Sequence, residues 1–330
     1  MEFKITKRFE RQGVSEVSCC HLYQVNGADD EHLPFSLLRY NYFRNFAIVN
    51  GILPYSINVG DRLIDLSEPQ VMGIVNITPD SFYAESRMQS EKDVRQRVRQ
   101  IVSEGGQMID IGAYSSRPWA EDISAHEEME RLRMGMKIVR EEAPDIAVSV
   151  DTFRADVAKA AIEEMGADMV NDISGGELDK DMFVTVARLG VPYILMHMKG
   201  SPQTMQQEAR YDDVVKEVTL YFAERVQRLR DLGLKDIIID PGYGFAKTLD
   251  QNYELLSKQE FLKVLELPIL VGVSRKSMVY RLLGGTPQDA LNGTSVLNTI
   301  ALQKGANILR VHDVKECVEV VRIVKRTFDC

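Results

Sequence analysis

Asn76, Asp151, Asn171, Asp240, Lys276, Arg310 and His312 each stand at or just beyond the end of a short apolar run. The first case shows why that position matters. Val71, Met72, Gly73, Ile74 and Val75 read as a buried strand that meets Asn76 and then Thr78, Pro79, Asp80 and Ser81. Pro79 lets neither a ladder nor a helix continue, so the polar residues belong to a loop at the strand's C-terminal end. The same succession of apolar run, polar tip and helix recurs about eight times. Its tips are, in order, Asn76; the Ser115, Ser116 and Arg117 loop; Asp151; Asn171 and Asp172; Met196 and His197; Asp240; Ser274, Arg275 and Lys276; and Arg310 with His312.

These tips carry two chemistries. Asp151, Asn171 and Asp240 end apolar runs, where an unpaired charge is costly to bury. A 2-amino-4-oxo pyrimidine edge, with an amino group beside a ring N–H, would satisfy a carboxylate in bidentate fashion, and Asn171 could answer the remaining donor and acceptor. The structural alternative is that the acids cap helices or pair with Arg275 and Lys276, and Asp172 reads as a helix or turn cap. The second group is cationic and hydroxylic: Ser116, Arg117, Arg275, Lys276, Arg310 and His312. Gathered at one mouth on a chain of net charge −9, they point to a phosphate or diphosphate site. Asn76 and the loop after it could add a magnesium ligand, since Mg²⁺ takes few protein oxygens and fills its shell with phosphate and water.

The elements that must position such a ring follow from the periodicity. Val94, Val98, Ile101 and Val102 share a helical face that ends at Gly105 and Gly106. Strands are expected at 108–112, 147–151, 168–173, 191–198, 236–240, 267–274 and 307–313. The helices between them include one opened by Ser124 and Glu127 as a capping box, a long one over 211–232, and a last one along Val314, Val318, Val321 and Val324. Eight buried strands, each followed by a helix, imply a parallel sheet covered on both faces, and over 71–327 they match an α/β architecture of the (β/α)8 TIM-barrel type. An open doubly wound sheet is the alternative, but no GxGxxG follows any strand. Residues 56–68 alternate around Gly60 and Asp61 as a short hairpin that could plug the lower end of the barrel. The chain thus divides into an N-terminal extension, 1–55, and a barrel with its hairpin, 56–330. The extension reads either as an appendage, even upstream sequence before a true start, or as an element covering the barrel's bottom or a dimer face.

Bulk properties narrow the partners. The acidic balance argues against nucleic acid. No apolar run is long enough to cross a membrane and the N-terminus lacks a signal peptide's apolar centre, so a cytoplasmic location is expected. Cys19, Cys20, Cys317 and Cys330 have no zinc-site spacing, and the five histidines form no HxxxH pair.

Seven stretches then carry a resemblance: NITPDSF (76–82), SSRP (115–118), VNDI (170–173), LMHMKGSPQTMQ (195–206), DPGYGFAK (240–247), VSRKSM (273–278) and RVHDV (310–314). In order and without large gaps over about 56–327, they are similar to the motifs of bacterial dihydropteroate synthases. The resemblance implies condensation of (7,8-dihydropterin-6-yl)methyl diphosphate with 4-aminobenzoate, giving dihydropteroate and diphosphate for folate synthesis. It implies that Asp151, Asn171, Met196, Asp240 and Lys276 hold the pterin, and that Asn76, Ser116, Arg310 and His312 hold the diphosphate, with Asn76 also on Mg²⁺. Phe82, Ser116, Pro118, Phe245, Lys276 and Ser277 would wall the aminobenzoate slot. Catalysis would fall to Asn76, Asp151, Asp240, Lys276, Arg310 and His312 in an SN1-like step, in a homodimer that sulfonamides target.

Two loops depart from the common pattern. Tyr114 stands where many members carry an acid and Ser116 where they carry threonine, while Tyr83, Ala84 and Glu85 replace Asp-Gly-Gly after Phe82. Loop mobility, aminobenzoate fit and sulfonamide sensitivity depend on these positions. Two other functions share the pterin barrel: a methyltetrahydrofolate-binding methyltransferase and a non-catalytic pterin-binding paralogue. Asn76, Lys276, Arg310 and His312 speak against both.

Overall fold

The computed structural model describes residues 55–60, 62–77, 84–114 and 123–328. The expectations for 1–54, for Thr78–Ser81 and Phe82, and for Ser115, Ser116, Arg117 and Pro118 therefore lie outside the described residues.

The expected hairpin is present: β1 (Ser56–Val59) pairs antiparallel with β2 (Arg62–Asp65). Eight parallel strands follow: β3 (Gln70–Asn76), β4 (Met108–Gly112), β5 (Ala147–Asp151), β6 (Met169–Asp172), β7 (Tyr193–Met196), β8 (Ile237–Asp240), β9 (Leu270–Val271) and β10 (Ile308–Val311). Each of β3 to β7 pairs with the next, β10 pairs with both β3 and β9, and a single parallel bridge, Ile239 to Ile269, joins β8 to β9 and completes the ring. This is the (β/α)8 barrel. β9 is much shorter than the expected 267–274. Pro268 has no N–H to give, and after Gly272 the chain turns so that the Lys276 N–H donates to the Val273 carbonyl.

The helices between strands are α1 (Ala84–Ser103), α2 (Ala125–Glu142), α3 (Ala155–Glu163), α4 (Met182–Leu189), α5 (Val214–Asp231), α6 (Leu249–Ser257), α7 (Ser277–Leu283), α8 (Leu291–Gln303) and α9 (Val314–Phe328). Ser124 caps α2 by accepting from the Glu127 N–H, but the Glu127 carboxylate turns to Arg131, so only half of the expected box forms there. The full reciprocal box opens α6, between Thr248 and Gln251. At β3 the fit to the helix layer is tight: a Cβ on Gly73 would come within 2.7 Å of the Ile101 side chain of α1.

Apolar residues separate into two bodies according to strand parity. Outward residues such as Val71, Ile109, Val148 and Leu195 join the helices in the larger core. Inward residues at the strand starts form the other: Met72, Met108, Ala147, Met169, Ile194, Ile238, Leu270 and Ile308, closed from below by Ile57, Val59 and Leu66 of the hairpin segment. The hairpin is the plug the sequence leads one to expect.

Candidate active site

Two residues above that apolar floor, strand by strand, the inward positions are Ile74, Asp110, Ser149, Asn171, Met196, Asp240, Gly272 and Arg310. Two further on come Asn76, Gly112, Asp151, Ile173, Met198, Gly242, Ser274 and His312. The polar residues therefore stack in two layers on a sealed floor, at the end of the barrel where such folds do chemistry.

Arg310 is the hub. Its Nε donates to Asp110 Oδ2 at 2.6 Å and its Nη2 to Asp151 Oδ2 at 2.9 Å. The Asn171 amide donates to the same Asp110 oxygen at 3.2 Å. Asp110 is wholly buried, and its Oδ1 has no hydrogen-bond partner. Burial, with Asp110 close by, raises the pKa of Asp151 while Arg310 works against the shift. Burial alone would lower that of Arg310, but Asp110 and Asp151 reverse it and hold the guanidinium firmly charged. Asp240, 5% exposed, is likewise raised by burial, opposed by Lys276 and by the Gly242 N–H that its Oδ1 accepts at 2.8 Å.

Lys276 reaches in from the turn after β9. Its Nζ donates to the Tyr243 carbonyl at 2.6 Å and lies 4.6 Å from the centre of the Phe245 ring. Burial pushes its pKa down to about 8, with Asp240 pulling the other way. Gly272 lies beneath this approach, where a Cβ would meet Lys276 Nζ and the Arg310 side chain at 3.9 Å, an ordinary van der Waals contact. Ser277 follows as the first residue of α7, half-buried. The turn is held by Arg275, whose φ of 54° lies in the left-handed region. Its guanidinium grips Asp313 at 2.7 and 2.9 Å and the carbonyls of Pro287 and Gln288. His312 sets its backbone N–H and its Nδ1 on the Ser274 hydroxyl, at 3.1 and 3.2 Å. Burial, then Arg310, pushes its pKa down to about 4, so the imidazole is neutral at pH 7. Met196 and Phe245 belong to one apolar group with Ile173, Met198, Met205, Ala246 and Phe153, and Met196 lies beside Asp240 across the β7–β8 pairing.

The structure thus brings Asp151, Asn171, Met196, Asp240, Phe245, Lys276, Arg310 and His312 around one mouth and corrects the expected division of charge. Arg275 is spent on Asp313 rather than facing a ligand. Arg310 is paired with two acids, one of which, Asp110, lies hidden inside the run MIDIG. Asp172 caps a turn as expected: it accepts from the N–H groups of Ser174 and Gly176 and from the Ser174 and Tyr193 hydroxyls. His197, at the tip of β7, faces away from the mouth and is buried against Lys247.

Asn76 ends β3 with its side chain exposed. Among the described residues no cluster of three or more His, Cys, Asp or Glu side chains could hold a metal. The donors fit only an ion that draws most of its shell from a bound anion and water, which is the habit of Mg²⁺. No helix of the described residues is long and apolar enough to cross a membrane.

Residues 72–312 match the family model of pterin binding enzymes. Fold and site together therefore define a pterin-binding enzyme built on a (β/α)8 barrel. The dihydropteroate synthase of Escherichia coli K12 is 39% identical over 266 residues, covering 80% of this chain and 93% of that protein. The enzyme of Synechocystis is 40% identical over 279 residues, 83% of this chain and 96% of its own. Among solved structures, a Xanthomonas albilineans dihydropteroate synthase with 4-aminobenzoic acid superposes with a TM-score of 0.76 at 33% identity, covering 83% of this chain and 98% of that one. A Yersinia pestis dihydropteroate synthase in complex with a sulfonamide drug gives 0.75 at 38% identity, covering 83% and 99%. The chain belongs to the dihydropteroate synthase family, the transferases of folate synthesis.

Proposed function

We propose that this chain condenses (7,8-dihydropterin-6-yl)methyl diphosphate with 4-aminobenzoate. The observation that carries the reading is the polar layer of Asp110, Asn171, Asp240 and Arg310 set directly on an apolar floor. It offers buried acceptors to a flat heterocycle rich in N–H groups, beside an apolar side that includes Met196. The Xanthomonas relatives bound to 4-aminobenzoic acid and to 7,8-dihydropteroate support one of these substrates and the product.

Asp240 and Asn171 would take the pterin edge, with Asp110 in the same layer, Asp151 one layer nearer the mouth and Met196 against its face. The bond from the pterin methylene to oxygen breaks with its electron pair going to diphosphate. The resulting cation is delocalised into the ring, where Asp151 and Asp240 stabilise it. The lone pair of the neutral arylamine then forms the C–N bond, and the nitrogen sheds one proton to solvent. Arg310, His312 and Ser116 would hold the diphosphate. Mg²⁺, held by Asn76 and the phosphates, would supply charge neutralisation of the leaving group. Phe245, Lys276, Ser277, Phe82, Ser116 and Pro118 would line the aminobenzoate slot, the place where sulfonamides would compete. The enzyme is further proposed to be cytoplasmic and a homodimer.

The test is a turnover assay with 4-aminobenzoate and the pterin diphosphate, with and without Mg²⁺. Stoichiometric release of diphosphate and dihydropteroate is expected. Tight pterin binding without turnover would instead assign the barrel to a binding protein.

A further inference from the structure

Lys247 is a buried amine that no step above uses. It is 3% exposed, burial pushes its pKa down to about 7, and its Nζ lies on the Gly242 carbonyl at 3.0 Å, the Phe245 carbonyl at 3.1 Å and His197 Nδ1 at 3.0 Å. The last contact ties Lys247 to His197, a neutral ring because burial, then Lys247, push its pKa far down. The segment these bonds hold is the loop from Asp240 to Lys247, and it needs holding. Gly242, Gly244 and Ala246 all have positive φ, at 67°, 84° and 47°, and the last is unfavourable for a residue with a side chain.

Nearly every carbonyl of the loop is spoken for. Those of Gly242 and Phe245 go to Lys247, that of Tyr243 to Lys276, that of Ala246 to the Tyr211 hydroxyl at 2.9 Å and that of Lys247 to Asn252. Gly242 itself lies against β7, where a Cβ would meet the His197 carbonyl at 2.0 Å. Lys247 ties the loop to its own backbone and, through His197, to β7. Lys276 ties it to the turn after β9. Phe245 lies between the two, its carbonyl on one lysine and its ring under the other.

We propose that Lys247, seated on His197, is a positioning residue that sets the Phe245 ring as the wall of the arylamine slot. The inference rests on the proposed condensation. It predicts a selective effect, because Asp240 is carried by the strand while Phe245 is carried by the turn that Lys247 closes. Displacing a substrate-positioning wall by a fraction of an ångström costs about tenfold or more in the step it serves.

The experiment is steady-state kinetics of the full chain, with calorimetry of pterin binding. Lys247→Met is expected to raise KM for 4-aminobenzoate about tenfold while pterin affinity changes less than about threefold. His197→Leu should raise the same KM, and His197→Asn, whose amide oxygen can stand where Nδ1 stands, should restore it. An unchanged KM in folded K247M, equal losses for both substrates, or H197N as impaired as H197L would overturn the proposal. If K247M does not fold, the two His197 variants decide it. If the native chain binds pterin but catalyses no condensation, the reading of the reaction fails instead. Amide exchange over 242–245 then decides the clamp, with faster exchange in H197L than in H197N expected and equal rates overturning it.

Discussion

Replacing Arg310 with methionine measures what the buried network is worth. Methionine keeps much of the aliphatic volume and removes two charge-assisted hydrogen bonds, the 2.6 Å contact to Asp110 and the 2.9 Å contact to Asp151. Asp110 is then left wholly buried with only the Asn171 amide as partner. Removing one member of a buried ion pair costs about 3–5 kcal/mol, because the other charge stays uncompensated. Unfolding entropy of roughly 2.1 cal/mol/K per residue is about 0.7 kcal/mol/K for a chain this long, so the melting temperature should fall by about 4–7 °C. The loss depends on pH in a defined direction. Asp151 already has a raised pKa in the folded state, so it contributes stability below the ordinary carboxylate value that declines as pH climbs above it. Without Arg310, which works against the rise, Asp151 leans further toward the protonated form, and R310M should be most destabilised at pH 8 and less so at pH 5.5. Adding Asp110→Asn should recover about 2 kcal/mol at pH 8, since the orphaned charge is what costs. Urea and thermal unfolding of the single and double variants provide the measurement. A loss below about 1 kcal/mol at pH 8, or a double variant no more stable than R310M, would refute the network argument.

Further outcomes can be measured in the same way. Asp240→Ala should weaken free pterin by about 10²–10⁴-fold by calorimetry, the loss of two hydrogen bonds to a charged group at roughly 1.5–3 kcal/mol each. His312→Ala should spare free pterin and weaken the diphosphate ester about tenfold; equal losses for both ligands would contradict the division of roles. Because its folded pKa is depressed to about 4, His312 contributes stability above pH 6.5 that is lost as pH falls toward 4, a slope that His312→Phe should abolish in unfolding titrations. Leu66→Ala, cut from the plug beneath the strands, should cost about 2–5 kcal/mol with little change in KM, while removal of residues 1–50 should leave turnover unchanged.

Much of this was legible in the sequence for a physical reason: strands buried on both faces must be continuous apolar runs, so a polar residue closing such a run announces the mouth. Asn76, Asp151, Asp240 and His312 were found that way. Asp110 was not, because it lies inside MIDIG rather than after it. Parity would have found it. Met108 and Asp110 share a face, and the same step of two separates Met169 from Asn171, Ile238 from Asp240 and Ile308 from Arg310. The cations misled for another reason. Arg275 and Arg310 are visible at their tips, but their partners, Asp313 for the one and Asp110 with Asp151 for the other, come from other strands and tips, and only the closed ring brings them within 3 Å. Lys247 was hidden by the same logic, its chief partner lying 50 residues earlier on β7.

The layer of Asp110, Asn171 and Arg310 is hard to justify as a stabilising device. Two acids share one guanidinium, and Asp110 Oδ1 is buried without a partner. Well-packed apolar residues at such positions are often neutral or more stable by about 1–4 kcal/mol. The apolar floor and its hairpin seal supply the burial that offsets this cost, as the continuous Met, Ile and Leu ring below it indicates. What the polar layer gains is two acids set around one fixed cation, held ready in a site walled off from below. A ligand that presents N–H groups and becomes positive as its diphosphate leaves is the kind of ligand that would complete it. On this argument an apolar Asp110→Leu/Arg310→Met/Asp151→Leu variant should melt no lower than the native chain and bind no pterin, and a variant of that kind that still bound pterin would place the recognition elsewhere.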